Sequence, residues 1–191
     1  AMQEGSAGGD VDHNIAIGLD AFKGGDLATA DNQVQGNIAI GSYALDATGA
    51  NAQTGTIAIG HSALSTNTSG IRNTAIGYQA LKANNNSHYN TAVGWNALYD
   101  YDLENGNTAV GHEAMGGSGA SNNCVAIGSN ALDAATTSGA DGTVALGYQA
   151  LTANTSGAKN VALGYKSMAA LTIGSNNIAI GYEAMDAIAV G

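Results

Sequence analysis

The chain has 191 residues, 28 of them Gly and none Pro, with aromatics at 5% and charged residues at 10%. Its 15 acidic and 5 basic residues give a net charge of -10, so neither nucleic acid nor an anionic membrane would find the clustered Lys and Arg it needs. Hydrophobic residues total 45%, but much of that share is Ala, which predicts a thin, elongated core rather than one thick one.

Residues 1–13 read as an irregular N-terminal segment whose Ala1-Met2 start has the look of an expression remnant, so the chain is expected to be a fragment of something longer. No signal peptide and no apolar run of membrane-spanning length is visible, and direct membrane insertion is not expected. Cys124 is the single cysteine, which excludes an internal disulfide and a Cys-based zinc site.

From Asn14 to Gly191 one unit recurs, N-[T/I/V]-A-[I/V/L]-G-x-x-A-[L/M/F]. Its ten copies are anchored on Gly18, Gly41, Gly60, Gly77, Gly94, Gly111, Gly128, Gly147, Gly164 and Gly181, spaced 23, 19, 17, 17, 17, 17, 19, 17 and 17 residues apart. A fixed period of this length is the signature of a solenoid. Helix is excluded, because Gly recurs too often and no 3.6-residue apolar period is sustained.

The residue two before each glycine is always Ala, from Ala16 to Ala179, as if the site had room for one methyl group. The residue just before it is always aliphatic: Ile17, Ile40, Ile59, Ile76, Val93, Val110, Ile127, Leu146, Leu163 and Ile180. Side chains alternate along a strand, so these residues share one face with the Ile, Val or Thr two positions earlier, and Ala occupies the other. The Ala face is expected to close a narrow roll. Each unit then reads as strand, Gly turn, short strand and loop, and the Asn, Gly, Ser and Thr between units are turn formers. Stacked at about 4.8 Å, ten units give a rod of about 48 Å. The Asn opening seven units, such as Asn73, Asn90 and Asn107, has two readings: an amide-to-amide ladder between units, or a turn residue only.

Ten aliphatic side chains in an exposed line exceed what a soluble monomer usually shows. Covering each would contribute about 1.5–3 kcal/mol before ordering costs. Self-association about a symmetry axis is the economical cover, and these ten residues are the expected subunit interface.

The stretches NIAIGSYAL, NTAIGYQAL, NTAVGWNAL and CVAIGSNAL resemble the head repeats of YadA-like trimeric autotransporter adhesins, and they are also similar to repeats of trimeric tail-fibre proteins, including phage receptor-binding fibres. The resemblance implies an all-β fold, a left-handed parallel β-roll or β-solenoid of about ten coils of 17–19 residues over 14–191, packed as a homotrimer. It further implies an extracellular place, on a bacterial surface or a virion tail fibre. The expected function is a structural and receptor-binding segment that attaches to a host-surface glycan or protein, with no enzymatic activity. The repeat here is longer than the bacterial head unit, which lengthens the outward loops.

The residue after each glycine is often a ring, and Tyr78, Trp95, Tyr148, Tyr165 and Tyr182 are the candidate ligand contacts, each joining an apolar face to a polar tip. The competing reading is that these rings cover the Gly turn and pack on one another along the rod. His61 and His112 occupy the same position three units apart, roughly 14 Å by strand spacing, too far to share a metal within one chain. His13 and His88 are expected in solvent. The acidic run Asp100, Asp102, Glu104 lacks the Gly and Glu placement of an EF-hand and reads as a solvated loop. Cys124 reads as a small apolar filler. No cofactor or metal is expected. Two other solenoids compete: a left-handed hexapeptide acyltransferase, whose six-residue frame the spacings of 19 and 23 break, and an ice-binding solenoid, for which only Thr74, Thr91 and Thr108 form a row.

Overall fold

The computed structural model describes residues 11–24, 34–48, 53–102, 104–117, 121–134 and 139–187. In chain order the strands are β1 (Val11–Asp12), β2 (Ile15–Ile17), β3 (Val34–Gln35), β4 (Ile38–Ile40), β5 (Gln53–Thr54), β6 (Ile57–Ile59), β7 (Thr74–Ile76), β8 (Thr91–Val93), β9 (Thr108–Val110), β10 (Val125–Ile127), β11 (Val144–Leu146), β12 (Val161–Leu163) and β13 (Ile178–Ile180). Among the described residues there is no helix. The ten three-residue strands form one sheet whose spatial order is chain order, and β1, β3 and β5 form a small second sheet. Every pairing is parallel, so the chain is an all-β solenoid.

Register follows the repeat. Ala faces Ala throughout, as in Ala75↔Ala92 and Ala92↔Ala109, and even across the 23-residue spacing Ala16 meets Ala39. Longer spacings therefore change loops, not pairing. The alternation predicted from sequence holds: Ala39, Ala58, Ala75, Ala92, Ala109, Ala126, Ala145 and Ala162 are fully buried, and they share the core with Leu45, Leu64, Leu81, Leu98, Met115, Leu132, Leu151 and Met168.

A short strand is expected after each glycine, and the structure has a run of turns there instead. The reason is that the second and fourth residues past the glycine are left-handed: Gln79 (φ 54) and Leu81 (φ 50), Asn96 (φ 52) and Leu98 (φ 51), and their equivalents in the other units. This lets the N–H groups of those two residues point opposite ways along the rod. Gln79 donates back to the His61 carbonyl at 3.0 Å, while Leu81 donates forward to the Ala97 carbonyl at 3.0 Å. A left-handed non-Gly residue costs roughly 1–2 kcal/mol, which burial of the Leu side chain offsets.

The anchor glycine cannot be replaced so cheaply. Gly94 has φ +141, and a Cβ there would lie 2.3 Å from the carbonyl oxygen of Gly111. Glycine therefore stacks on glycine up the rod.

The Asn residues that open the units do more than turn the chain, but among the described residues of that column amide bonds amide at two pairs, Asn37 to Asn14 (3.0 Å) and Asn177 to Asn160 (3.1 Å). Elsewhere the side chain bonds to backbone. Asn73 Oδ1 accepts the N–H of Asn90 at 2.9 Å while its Nδ2 donates to the Ser87 carbonyl at 2.7 Å. Asn90 and Asn107 repeat the arrangement. The buried amide thus fills a place in the ladder as a peptide group would, satisfying two backbone groups that burial would otherwise orphan. Cys124 stands in this column, and its Sγ donates to the Ala140 carbonyl at 3.0 Å. It is a buried thiol with a donor's role, not merely a filler, and burial pushes its pKa up.

Candidate functional site

Two surfaces carry the sequence candidates. The first is the outer face of the ten-stranded sheet, where the residues flanking each buried Ala point outward. Ile17, Ile76, Ile127, Leu146, Leu163 and Ile180 are exposed, and Ile40, Ile59, Val93 and Val110 are partly so. The neighbouring column holds Ile15, Ile38, Ile57, Val125, Val144, Val161 and Ile178, interrupted by Thr74, Thr91 and Thr108. Two adjacent columns of mostly branched aliphatic side chains thus make one flat apolar strip along the rod.

The second surface is the ring column just past the Gly turn. His61 stacks on Tyr78 with centroids 5.4 Å apart, Tyr78 on Trp95 at 6.2 Å, and Trp95 on His112 at 4.8 Å with planes within 8°. Tyr43 caps the lower end edge-on at 5.7 Å. Farther along, Tyr148 stacks on Tyr165 and Tyr165 on Tyr182, both at 5.3 Å. The five candidate rings therefore fall into two ladders, separated at Ser129. Inside each ladder the faces are taken by neighbouring rings, so a partner meets ring edges and polar tips, while free faces occur only at ladder ends. The rings pack on one another along the rod, and the five candidates remain 42–73% exposed.

Sequence reasoning missed a notch beside this break. Asn96, Tyr99, Glu113, Gly116, Gly117 and Asp133 line a cavity of about 260 Å³. Its origin is a missing side chain, since Gly116 stands five residues past its anchor glycine, where the adjacent units carry Tyr99 and Asp133. Asn130 Nδ2 donates to Glu113 Oε2 at 3.2 Å and to Asp133 Oδ2 at 3.3 Å. The Oδ1 of Asn96 is buried with no hydrogen-bond partner. Burial pushes the Asp133 carboxyl above the usual range, against the hydrogen bond from Asn130 and with the charge of Glu113 adding to it. The signal was the Gly116-Gly117 pair, legible as a turn but not as a hole.

The remaining candidates are structural. His88 is not simply solvated: its Nδ1 accepts the Ile71 N–H at 3.1 Å and its backbone N–H donates to Asn105 Oδ1 at 2.7 Å. His13 is exposed beside Asp12 at 3.0 Å. The acidic run is less solvated than expected, because Glu104 is buried and Asp102 Oδ1 accepts the Asn85 N–H at 3.0 Å. Among the described residues no group of three His, Cys, Asp or Glu side chains is placed to hold a metal ion, and no helix is long and apolar enough to cross a membrane. Set against protein-family models, curated proteins and solved structures, the chain matches none of them.

Proposed function

We propose that the chain is the rod of a homotrimeric surface fibre, a non-enzymatic segment of about ten coils that attaches to a host-surface glycan or protein, as the likeness of its repeats to YadA-like heads and phage fibres implies. The observation that carries the reading is the apolar strip on the ten-stranded sheet. The unbroken aliphatic column from Ile17 to Ile180, flanked by a second column that only Thr74, Thr91 and Thr108 interrupt, suits a subunit interface, because burying it removes from water an apolar area that a monomer would leave exposed. Three copies about one axis would cover all three strips at once. The ring ladders lie beyond the Gly turn, off the flat strip, which leaves them and the Asn-rich loops for an external partner. Attachment of this kind places the fibre outside the cell, on a bacterial surface or a virion tail.

The test pairs a change on the strip with a change on the ladder. Val110→Asp places a charge in the middle of the strip and is expected to dissociate or unfold the assembly, whereas Tyr148→Ala leaves its mass unchanged. Sedimentation equilibrium reads both. An Asp variant with the parent's mass and melting temperature would show that the faces are wrongly assigned.

A further inference from the structure

The two ring ladders share one column, and the rung missing between them is Ser129. Strands β9, β10 and β11 are consecutive in the sheet, with Val110, Ile127 and Leu146 in register. His112 and Tyr148, each two residues beyond these, therefore stand two strand steps apart, roughly 9.6 Å. The rungs that are present stack at 4.8–6.2 Å. A gap of two steps is therefore the width that one additional ring takes up. Its floor is a serine, and its two walls are the end faces of the ladders.

Asn130, the residue after Ser129, bonds Glu113 and Asp133, so that end of the notch borders the gap. On the side of the gap its polar groups are acceptors: the carboxyl groups of Glu113 and Asp133, held together by Asn130. Ring faces with a cluster of acceptors at one edge suit a ring that carries several hydroxyl donors. A flat hydrocarbon ring would fill the gap but offer the two carboxyl groups at its edge no donor, forgoing those hydrogen bonds. The net charge of -10 disfavours a ligand bearing carboxylate or sulfate.

We propose that the Ser129 gap is a binding site for a neutral hexose ring of a glycan, held between His112 and Tyr148 with its hydroxyls donating to Glu113 and Asp133 at the near end of the notch. The proposal rests on the reading of the rod as an attachment module and names the ligand class for it.

The chain's single tryptophan, Trp95, stacks on the far face of His112, so its fluorescence reports on the gap. The experiment titrates the full chain with neutral oligosaccharides of glucose, galactose and mannose, with sialic acid, and with calcium chloride. At least one neutral sugar is expected to give a saturable change. Ser129→Tyr supplies the missing rung, as Tyr78, Tyr148, Tyr165 and Tyr182 do in their own units, and should weaken that response at least tenfold while melting like the parent. Ile173→Ser, an exposed change away from the ladder, should leave it unaltered. Equal sugar binding by Ser129→Tyr, a response to calcium or sialic acid in place of neutral sugar, or no response to any neutral sugar overturns the proposal. Retention on glycan-bearing cells distinguishes the two levels: retention that survives Ser129→Tyr overturns the site but leaves the attachment reading standing, and no retention of the parent overturns both.

Discussion

The side-chain oxygen of Asn73 accepts the backbone N–H of Asn90 at 2.9 Å, and Asn90 does the same for Asn107 at 2.8 Å. One buried amide thus links each of these units to the next. Asn90→Ala leaves the Asn107 N–H and the Glu104 carbonyl without these partners, and should cost about 1–3 kcal/mol in denaturant unfolding. The converse test is Thr56→Asn. Thr56 stands in the same column with its Oγ1 buried and unpartnered, so restoring the amide should raise stability by about 0.5–1.5 kcal/mol. A lower denaturant midpoint for Thr56→Asn would count against this account of the column.

The glycine column separates steric crowding from backbone strain. At Gly94 a Cβ would lie 2.3 Å from the Gly111 carbonyl oxygen, whereas at Gly181 the nearest atom is the Ala184 Cβ at 3.9 Å. Both have strongly positive φ, +141 and +129. Gly181→Ala should therefore lose only the strain, about 1–3 kcal/mol, and Gly94→Ala distinctly more. Equal loss in thermal melts would show that the close stacking contributes nothing.

Lys159, with φ 56, is exposed and left-handed, at a position where Gly36, Gly55, Gly106 and Gly142 serve other units. Lys159→Gly removes a strain of roughly 1–2 kcal/mol but adds flexibility to the unfolded chain, so stability should hold or rise slightly. Lys159→Val, β-branched, should lower it by about 1 kcal/mol or more. Chemical denaturation of the pair checks the sign.

Asp133 gives a pH signature. Because burial raises its folded pKa, the folded chain holds this proton more tightly than the unfolded one. Its contribution is therefore fully present below the ordinary carboxylate pKa and is lost as pH rises through the raised folded value. Asp133→Asn should flatten that part of the stability profile and gain on the parent toward neutral pH. A parallel decline in both proteins would remove Asp133 as its source.

The strand, the anchor glycine and the inward Ala were legible because each is set by a two-residue alternation and a steric limit that repeats ten times in the sequence. The turns after the glycine were not. Leu81 and Leu98 sit at φ 50 and 51 against their own preference, and only the forward hydrogen bonds to Ala97 and Ala114 explain why. The ladder break was present in the sequence as Ser129 among rings, but its meaning depends on the faces of His112 and Tyr148 pointing along the rod. The notch arises from a side chain that Gly116 lacks, and a pattern of residue types does not show a void.

The strip of Ile17 through Ile180 is central, because the attachment reading depends on what covers it. The most direct measurement is the mass of the purified chain by light scattering across a concentration series. A species at three times 18.8 kDa is expected, whereas a monomer of 18.8 kDa that persists at high concentration would contradict the account.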